Sequence, residues 1–280
     1  MRRLHACRDA EAFRELAWNW LVQEEAIHTL PLGLLSNLLS KPKPVRQEHH
    51  LWVVEKDGLP DGTAFWTPPY PLMLTEMEED SCRLLAEGVR EGFPGLNGVG
   101  GPADASEAFA AAWREGTGQE TPLKNRMRLY QLERVEEGAG AFGGMRTASL
   151  EETDLLTGWY GDFAAEVGEK DGMDPRTLVR GYLKEGRLFV WEDRGVRAMA
   201  GTTGETPRGL RINMVYTPAG SRGKGYAGSL VSALCRGVLE KGKSFCTLFA
   251  DSSTPADGRL YRRIGFKPAA QWSVYRLGPG

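Results

Sequence analysis

The chain has no apolar run approaching the roughly 20 residues that a membrane-spanning helix needs. Its opening residues, 1–9 (MRRLHACRD), lack the apolar core of a secretory signal. Charge of one sign is also missing. Lys and Arg number 35 against 37 Asp and Glu, a net charge of −2, so no basic field argues for nucleic acid or for an anionic membrane surface. Cysteine and histidine are scarce, with four of each. Cys7, Cys82, Cys235 and Cys246 show no short metal spacing and fall mostly in apolar patterns, as reduced, buried thiols do. His49 and His50 open a predicted strand, where neighbouring side chains point to opposite faces, and His5 and His28 stand alone, so no metal site is expected. A cytoplasmic chain is expected, without metal, nucleic-acid or membrane partner. Its 280 residues, 41% of them hydrophobic, suffice for one large or two modest cores.

Near the C-terminal end, residues 222–227 (RGKGYA) stand between an apolar run, 210–216, and a segment with helical period at Ala227, Leu230, Val231, Leu234, Cys235 and Val238. The order is strand, glycine-rich turn, helix start. A helix opened by glycines presents unpaired N–H groups and the positive end of its dipole, which suits a phosphate or pyrophosphate.

Three loop types compete for this pattern. A Walker A loop fails, because Gly225 follows Lys224 where Ser or Thr is required, and Pro218 takes the place of the leading glycine. A dinucleotide fingerprint matches literally as Gly223, Gly225 and Gly228, with Asp251 downstream. Against it, residues 217–221 separate strand from turn, and Asp251 lies beyond the usual acidic spacing of about 20. The third type draws on residues outside the loop. Counted from Arg222, the segment resembles the Arg/Gln-x-x-Gly-x-Gly/Ala acyl-CoA pyrophosphate loop of the GNAT N-acetyltransferase superfamily, and 251–266 (DSSTPADGRLYRRIGF) resembles that superfamily's second cofactor motif, a short helix ending in Tyr-x-x-x-Gly-Phe.

The resemblance covers about residue 147 to the C-terminus. It implies an α/β (α+β) GNAT acyl-CoA N-acyltransferase fold, a mixed central sheet flanked by helices with two parallel strands splayed apart. The sequence offers matching elements: helices over 155–167 and 175–183, a hairpin from 187–192 and 196–203, and the strand 210–216. The resemblance further implies acetyl-CoA as cosubstrate and transfer of its acetyl group to a primary amine. Arg222 and the amides of Gly223, Gly225, Tyr226 and Ala227 would hold the pyrophosphate, with Lys224 either near the phosphates or simply solvated. A backbone N–H at Met214 or Val215 would meet the thioester oxygen, Tyr216 would end the splayed strand, and Tyr261 would be the general acid that protonates the departing thiolate. Thr254 stands where relatives often carry asparagine and can cap the short helix ahead of Pro255. Gly258 departs from the pattern, and its position offers no side chain to the pantetheine. The base is not singled out among Glu166, Glu169, Glu24 and Glu25.

A glycine-dense stretch, 136–144, divides the chain. The first half repeats the second faintly: helices over 12–22 and 32–39, then a hairpin from 50–55 and 63–66. Two tandem GNAT-like lobes are therefore expected, 1–136 degenerate and 145–280 catalytic. Where the second half has its glycine loop, the first has 76–80 (EMEED), whose carboxylates cap a helix but repel a pyrophosphate. Residues 95–101 (GLNGVGG) read as a plain turn rather than a phosphate loop. Tandem lobes of this kind are similar to bacterial GNAT proteins in which the first lobe helps to wall the acceptor cleft. The acceptor, a small-molecule or peptide amine, is not fixed by any motif. Neither is the oligomeric state, and a homodimer is compatible. Two other functions fit parts of the pattern: an acyl-CoA-binding regulatory module without turnover, and a tandem-lobe aminoacyl transferase using a charged transfer RNA, for which a basic groove would be expected.

Overall fold

The computed structural model describes residues 1–40, 48–93, 95–136, 140–168, 173–252 and 255–278. The chain forms two compact units, Met1–Leu129 with Ala270–Gly280, and Tyr130–Ala269. No helix among the described residues is long and apolar enough to cross a membrane.

The N-terminal unit runs β1 (Arg2–Cys7), α1 (Ala10–Leu21), α2 (Thr29–Ser40), β2 (His50–Lys56), β3 (Leu59–Trp66), β4 (Leu72–Leu74), α3 (Glu79–Arg90), β5 (Gly98–Pro102), α4 (Ala103–Thr117) and the start of β6 (Leu123–Leu132). The C-terminal unit repeats that order as β7 (Gly144–Thr147), α5 (Thr153–Val167), α6 (Pro175–Lys184), β8 (Leu188–Glu192), β9 (Val196–Thr203), β10 (Gly209–Tyr216), α7 (Tyr226–Glu240), β11 (Phe245–Asp251), α8 (Pro255–Ile264) and the start of β12 (Lys267–Arg276). Pairing repeats as well. The first four strands of each unit pair antiparallel in succession, and the fourth and fifth run parallel across the helix that joins them, α3 or α7. The mixed order excludes the doubly wound parallel sheet that a dinucleotide fingerprint requires.

The strand after each unit's last helix accounts for the difference from a contiguous division into 1–136 and 145–280. β6 and β12 each begin in one unit and end in the other, and Trp272 to Arg276 of β12 pair antiparallel with β5. A second correction concerns residues 95–101. The glycine-rich segment is not a plain turn, because Gly98 to Pro102 form the wholly buried strand β5. Its glycines permit close approach: a Cβ on Gly98 would lie 2.9 Å from the Tyr275 carbonyl, and one on Gly101 would lie 2.9 Å from Leu74 Cβ.

Helix starts follow local chemistry. Asp9 caps α1 by accepting from the Ala12 amide, and Asp174 caps α6 by accepting from Thr177 with Pro175 at the first helical position. Ser149 and Glu152 form a capping box just ahead of α5, which ends at Gly168 with φ +71°. In the C-terminal unit the sheet carries α7 and α8 on one face, over Ala198, Ala200, Ile212 and Leu248. The other face carries α5 and α6, over Leu188, Val190, Met199 and Met214. Cys82, Cys235 and Cys246 are buried and Cys7 partly so, all as free thiols.

Candidate active site

The central strand of the C-terminal unit, β10, breaks its own alternation. Leu210 and Ile212 face α7, as alternation requires, yet Met214 and Tyr216 join the α5/α6 core while Val215 faces α7. The cause is a bulge. Pairing with β9 jumps from Asn213 opposite Gly201 to Tyr216 opposite Met199, and Met214 adopts φ +50°. Met214 and Val215 are thereby taken out of the β9 ladder. On the other side, β10 pairs with β11 only from Gly209 to Arg211, and no further pairing of the two occurs among the described residues although both strands continue. The two parallel strands thus part on the side of the bulge.

After β10 the chain makes a short turn over Ala219–Ser221 and enters the glycine loop. Gly223 and Gly225 have φ +77° and +85°, the left-handed region that other L-residues enter at a cost. No side chain among the described residues caps α7, and its first intrahelical amide is that of Ser229, bonded to the Gly225 carbonyl at 3.0 Å. The amides of Tyr226, Ala227 and Gly228 therefore precede the helical ladder and point outward with the dipole. A side-chain carbon added at Gly223 would meet nothing within 4 Å among the described residues.

Two carboxylates one helical turn apart on α5 reach this corner. Asp162 accepts from the Tyr216 hydroxyl at 3.2 Å, and Glu166 accepts from Arg222 Nη2. Burial, with Asp162 adding to it, raises the Tyr216 phenol, so this tyrosine stays protonated across the neutral range. Arg222 also donates through Nε to the Thr217 carbonyl at 2.8 Å, and its guanidinium carbon lies 5.7 Å from the Tyr216 ring centre. The hydrogen bond to Glu166 raises Arg222 further, leaving it a permanent cation, and both side chains remain about half exposed. Lys224 Nζ donates to the Gly220 carbonyl at 3.3 Å. The Tyr226 side chain is engaged elsewhere, donating to Asp193 at 2.7 Å, so only its amide is available to a ligand.

Tyr261 sits on α8 in the core of this unit, 7% exposed, with its ring 6.2 Å from that of Tyr130 and 5.9 Å from that of Phe266. Tyr130 was not evident as a neighbour from sequence. A Cβ on Gly258 would lie 3.0 Å from the Tyr130 hydroxyl, so that phenol occupies the room that a side chain at 258 would fill. Thr254 and Glu169 lie outside the described residues. Glu24 and Glu25 belong to the N-terminal unit, and Glu166 is already the partner of Arg222.

The corresponding corner of the N-terminal unit has opposite chemistry. Its cavity of about 460 Å³ is lined by Glu76 at the end of β4 and Asp104 in the first turn of α4. The Glu78 carboxylate, just ahead of α3, is paired with Arg2 and Lys56.

Comparison with known proteins agrees with this geometry. Residues 192–277 match the family model described as FR47-like protein. A GCN5-related N-acetyltransferase from Sphaerobacter thermophilus superposes with a TM-score of 0.64 at 16% identity, over 100% of this chain and 96% of that one. A GNAT-family acetyltransferase from Colwellia psychrerythraea gives 0.59 at 12%, over 99% and 100%. A tandem GNAT protein from the clavulanic acid biosynthesis pathway gives 0.56 at 13%, over the whole of both chains. No curated protein matches the sequence significantly. With the same element order in both units and the FR47-like pattern in the second, the chain is a GNAT-fold protein of tandem architecture.

Proposed function

We propose that the C-terminal unit is an N-acyltransferase that moves an acetyl group from acetyl-CoA to a primary amine of a small molecule or peptide. The observation that carries this reading is the uncapped start of α7, with Gly223 and Gly225 in left-handed conformation and Arg222 beside it, directly after a strand that bulges and parts from its parallel neighbour. A dinucleotide loop needs no such bulge.

Acetyl-CoA supplies an acyl thioester whose carbonyl carbon an amine can attack. The residues present suit it. Arg222 and the amides from Gly223 to Ala227 would hold the pyrophosphate by charge-assisted hydrogen bonds. The peptide N–H of Met214 or Val215, outside the β9 ladder, would donate to the thioester oxygen as it gains negative charge. As the N–C bond forms, the C–S bond breaks and sulfur keeps the electron pair. The amine gives its proton to solvent or a base, and the Tyr261 phenol would deliver one to the thiolate.

A thiol-release assay with acetyl-CoA and a panel of primary amines tests this function. Amine-dependent release of CoA, lost in Arg222→Glu, is expected. CoA binding with no release for any amine would leave a binding module instead.

A further inference from the structure

On the face of β10 turned toward α5 and α6, two polar side chains stand two residues apart, Arg211 and Asn213, and Asn213 borders the bulge. Asn213 Nδ2 donates to the Tyr182 hydroxyl of α6 at 2.9 Å, while its Oδ1 is buried and accepts nothing from the described residues. The residue opposite on β9 is Gly201, and a Cβ there would lie 2.7 Å from that Oδ1. The absent side chain is what gives the amide its room.

Arg211 is the odd arginine of this strand layer. Arg146 pairs with Glu152 and Glu192, Arg187 with Glu185, and Arg222 with Glu166. Arg211 has no carboxylate partner and donates no hydrogen bond among the described residues, and its Nη1 is shut off from solvent. Its guanidinium lies against Gly204, whose added Cβ would be 3.3 Å from the guanidinium carbon. Burial pushes Arg211 down to about 10, and the Tyr182 phenol opposes that shift only in part. A half-buried cation with one nitrogen shut off from solvent and unpaired is a costly arrangement, and a fold that needed only packing here would do better with a hydrocarbon side chain.

An unanswered donor and an unanswered acceptor on one face call for a ligand that carries both complements. A carboxylate matches the planar guanidinium, and an amine N–H matches Asn213 Oδ1. Residues two apart on a strand are separated by about 6.6 Å, and the long arginine side chain can shorten that span, so both groups can belong to one small molecule. The asparagine end adjoins the bulge, where the acyl group would lie. We propose that Arg211 and Asn213 form the acceptor subsite and select an amine that also carries a carboxylate, an amino acid in the broad sense. This rests on the acyltransferase reading for its chemistry but not for its binding.

The test is calorimetric titration of CoA-saturated protein with the common L-amino acids and β-alanine, each beside its decarboxylated amine. At least one amino acid is expected to bind, with its decarboxylated counterpart weaker by about tenfold or more. In Arg211→Met that preference should vanish while CoA binding persists, and the thermal midpoint should not fall, because an unpaired, half-buried charge has been removed. Arg211→Lys, which keeps the charge without the planar fork, should retain only part of the preference. The proposal is overturned if no amino acid binds, if the decarboxylated amines bind equally well, or if the preference survives Arg211→Met. It is also overturned if that variant melts several degrees lower or fails to fold, which would make Arg211 a structural residue. Amino-acid binding without CoA release in the thiol assay would sink the acyltransferase reading and leave the subsite standing.

Discussion

Glu166 on α5 accepts a hydrogen bond from Arg222 on the loop before α7, 56 residues later in the chain. The guanidinium proposed to meet a pyrophosphate is therefore held by a carboxylate in the ligand-free protein, so a phosphate and Glu166 compete for it. With both side chains about half exposed, the pair is worth about 0.5 kcal/mol after screening. Glu166→Gln should tighten CoA binding by roughly two- to threefold, and more at low ionic strength. Calorimetry at two salt concentrations checks this. Weaker binding would mean that Glu166 orients Arg222 rather than competing for it.

Gly225 holds φ +85° directly before α7, and among the described residues only Ala141 Cβ lies near the space a side chain would take, at 3.9 Å. Gly225→Val should then act through the backbone rather than by collision. It should cost about 1–2 kcal/mol of stability and weaken CoA binding by disturbing the first amides of α7. Urea unfolding and a CoA titration of the same variant provide the check. Unchanged values in both would show that the loop has no need of this conformation.

Tyr261→Phe keeps the ring that packs near Tyr130 and Phe266 and deletes only the hydroxyl. If the phenol protonates the departing thiolate, turnover should fall by roughly 10²-fold with CoA affinity nearly unchanged. Steady-state kinetics with a titration separate the two. Full activity would assign the proton to water, and a loss of affinity alone would make Tyr261 a packing residue.

The capping box before α5 predicts a pH dependence of stability. Glu152 accepts from Arg146 at 2.8 and 2.9 Å and from the Ser149 amide at 2.8 Å, and the Arg146 hydrogen bonds hold its carboxyl below the usual range. A depressed folded value means that the contribution is complete above the unfolded pKa of about 4.3 and is lost as pH falls through the folded value. Glu152→Gln should therefore destabilise by about 1–2 kcal/mol at pH 7, with the gap to wild type closing only below about pH 4. Thermal melts across pH 3 to 7 would show it. A gap that stays constant to pH 3 would assign the effect to packing.

How far the sequence could be read depended on whether the cause was local. The helix that starts at Pro175, the glycine turn from Arg222 and the apolar period of α7 are written in consecutive residues, and each stands where it was expected. β5 was misread because its signature is absence: Gly98, Gly100 and Gly101 are strand residues only because β4 and β12 press against them. The ends of β6 and β12 could not be placed by a linear repeat, since each strand contributes to both units. The bulge was equally hidden. Met214 is an unlikely residue for φ +50° by local preference, and nothing in 209–216 announces that alternation will reverse there. Arg211 and Asn213 are likewise set apart only by the partners around them, which no local pattern in the sequence shows.

The acidic corner of the N-terminal unit, lined by Glu76 and Asp104, would repel a pyrophosphate, so a single cofactor site is expected. Titration of the full chain with CoA by calorimetry tests the central claim most directly. One CoA per chain is predicted, bound at least about 2 kcal/mol more weakly when Arg222→Glu replaces attraction with repulsion at the phosphates. Absence of binding, a stoichiometry of two, or affinity unaffected by Arg222→Glu would contradict the account.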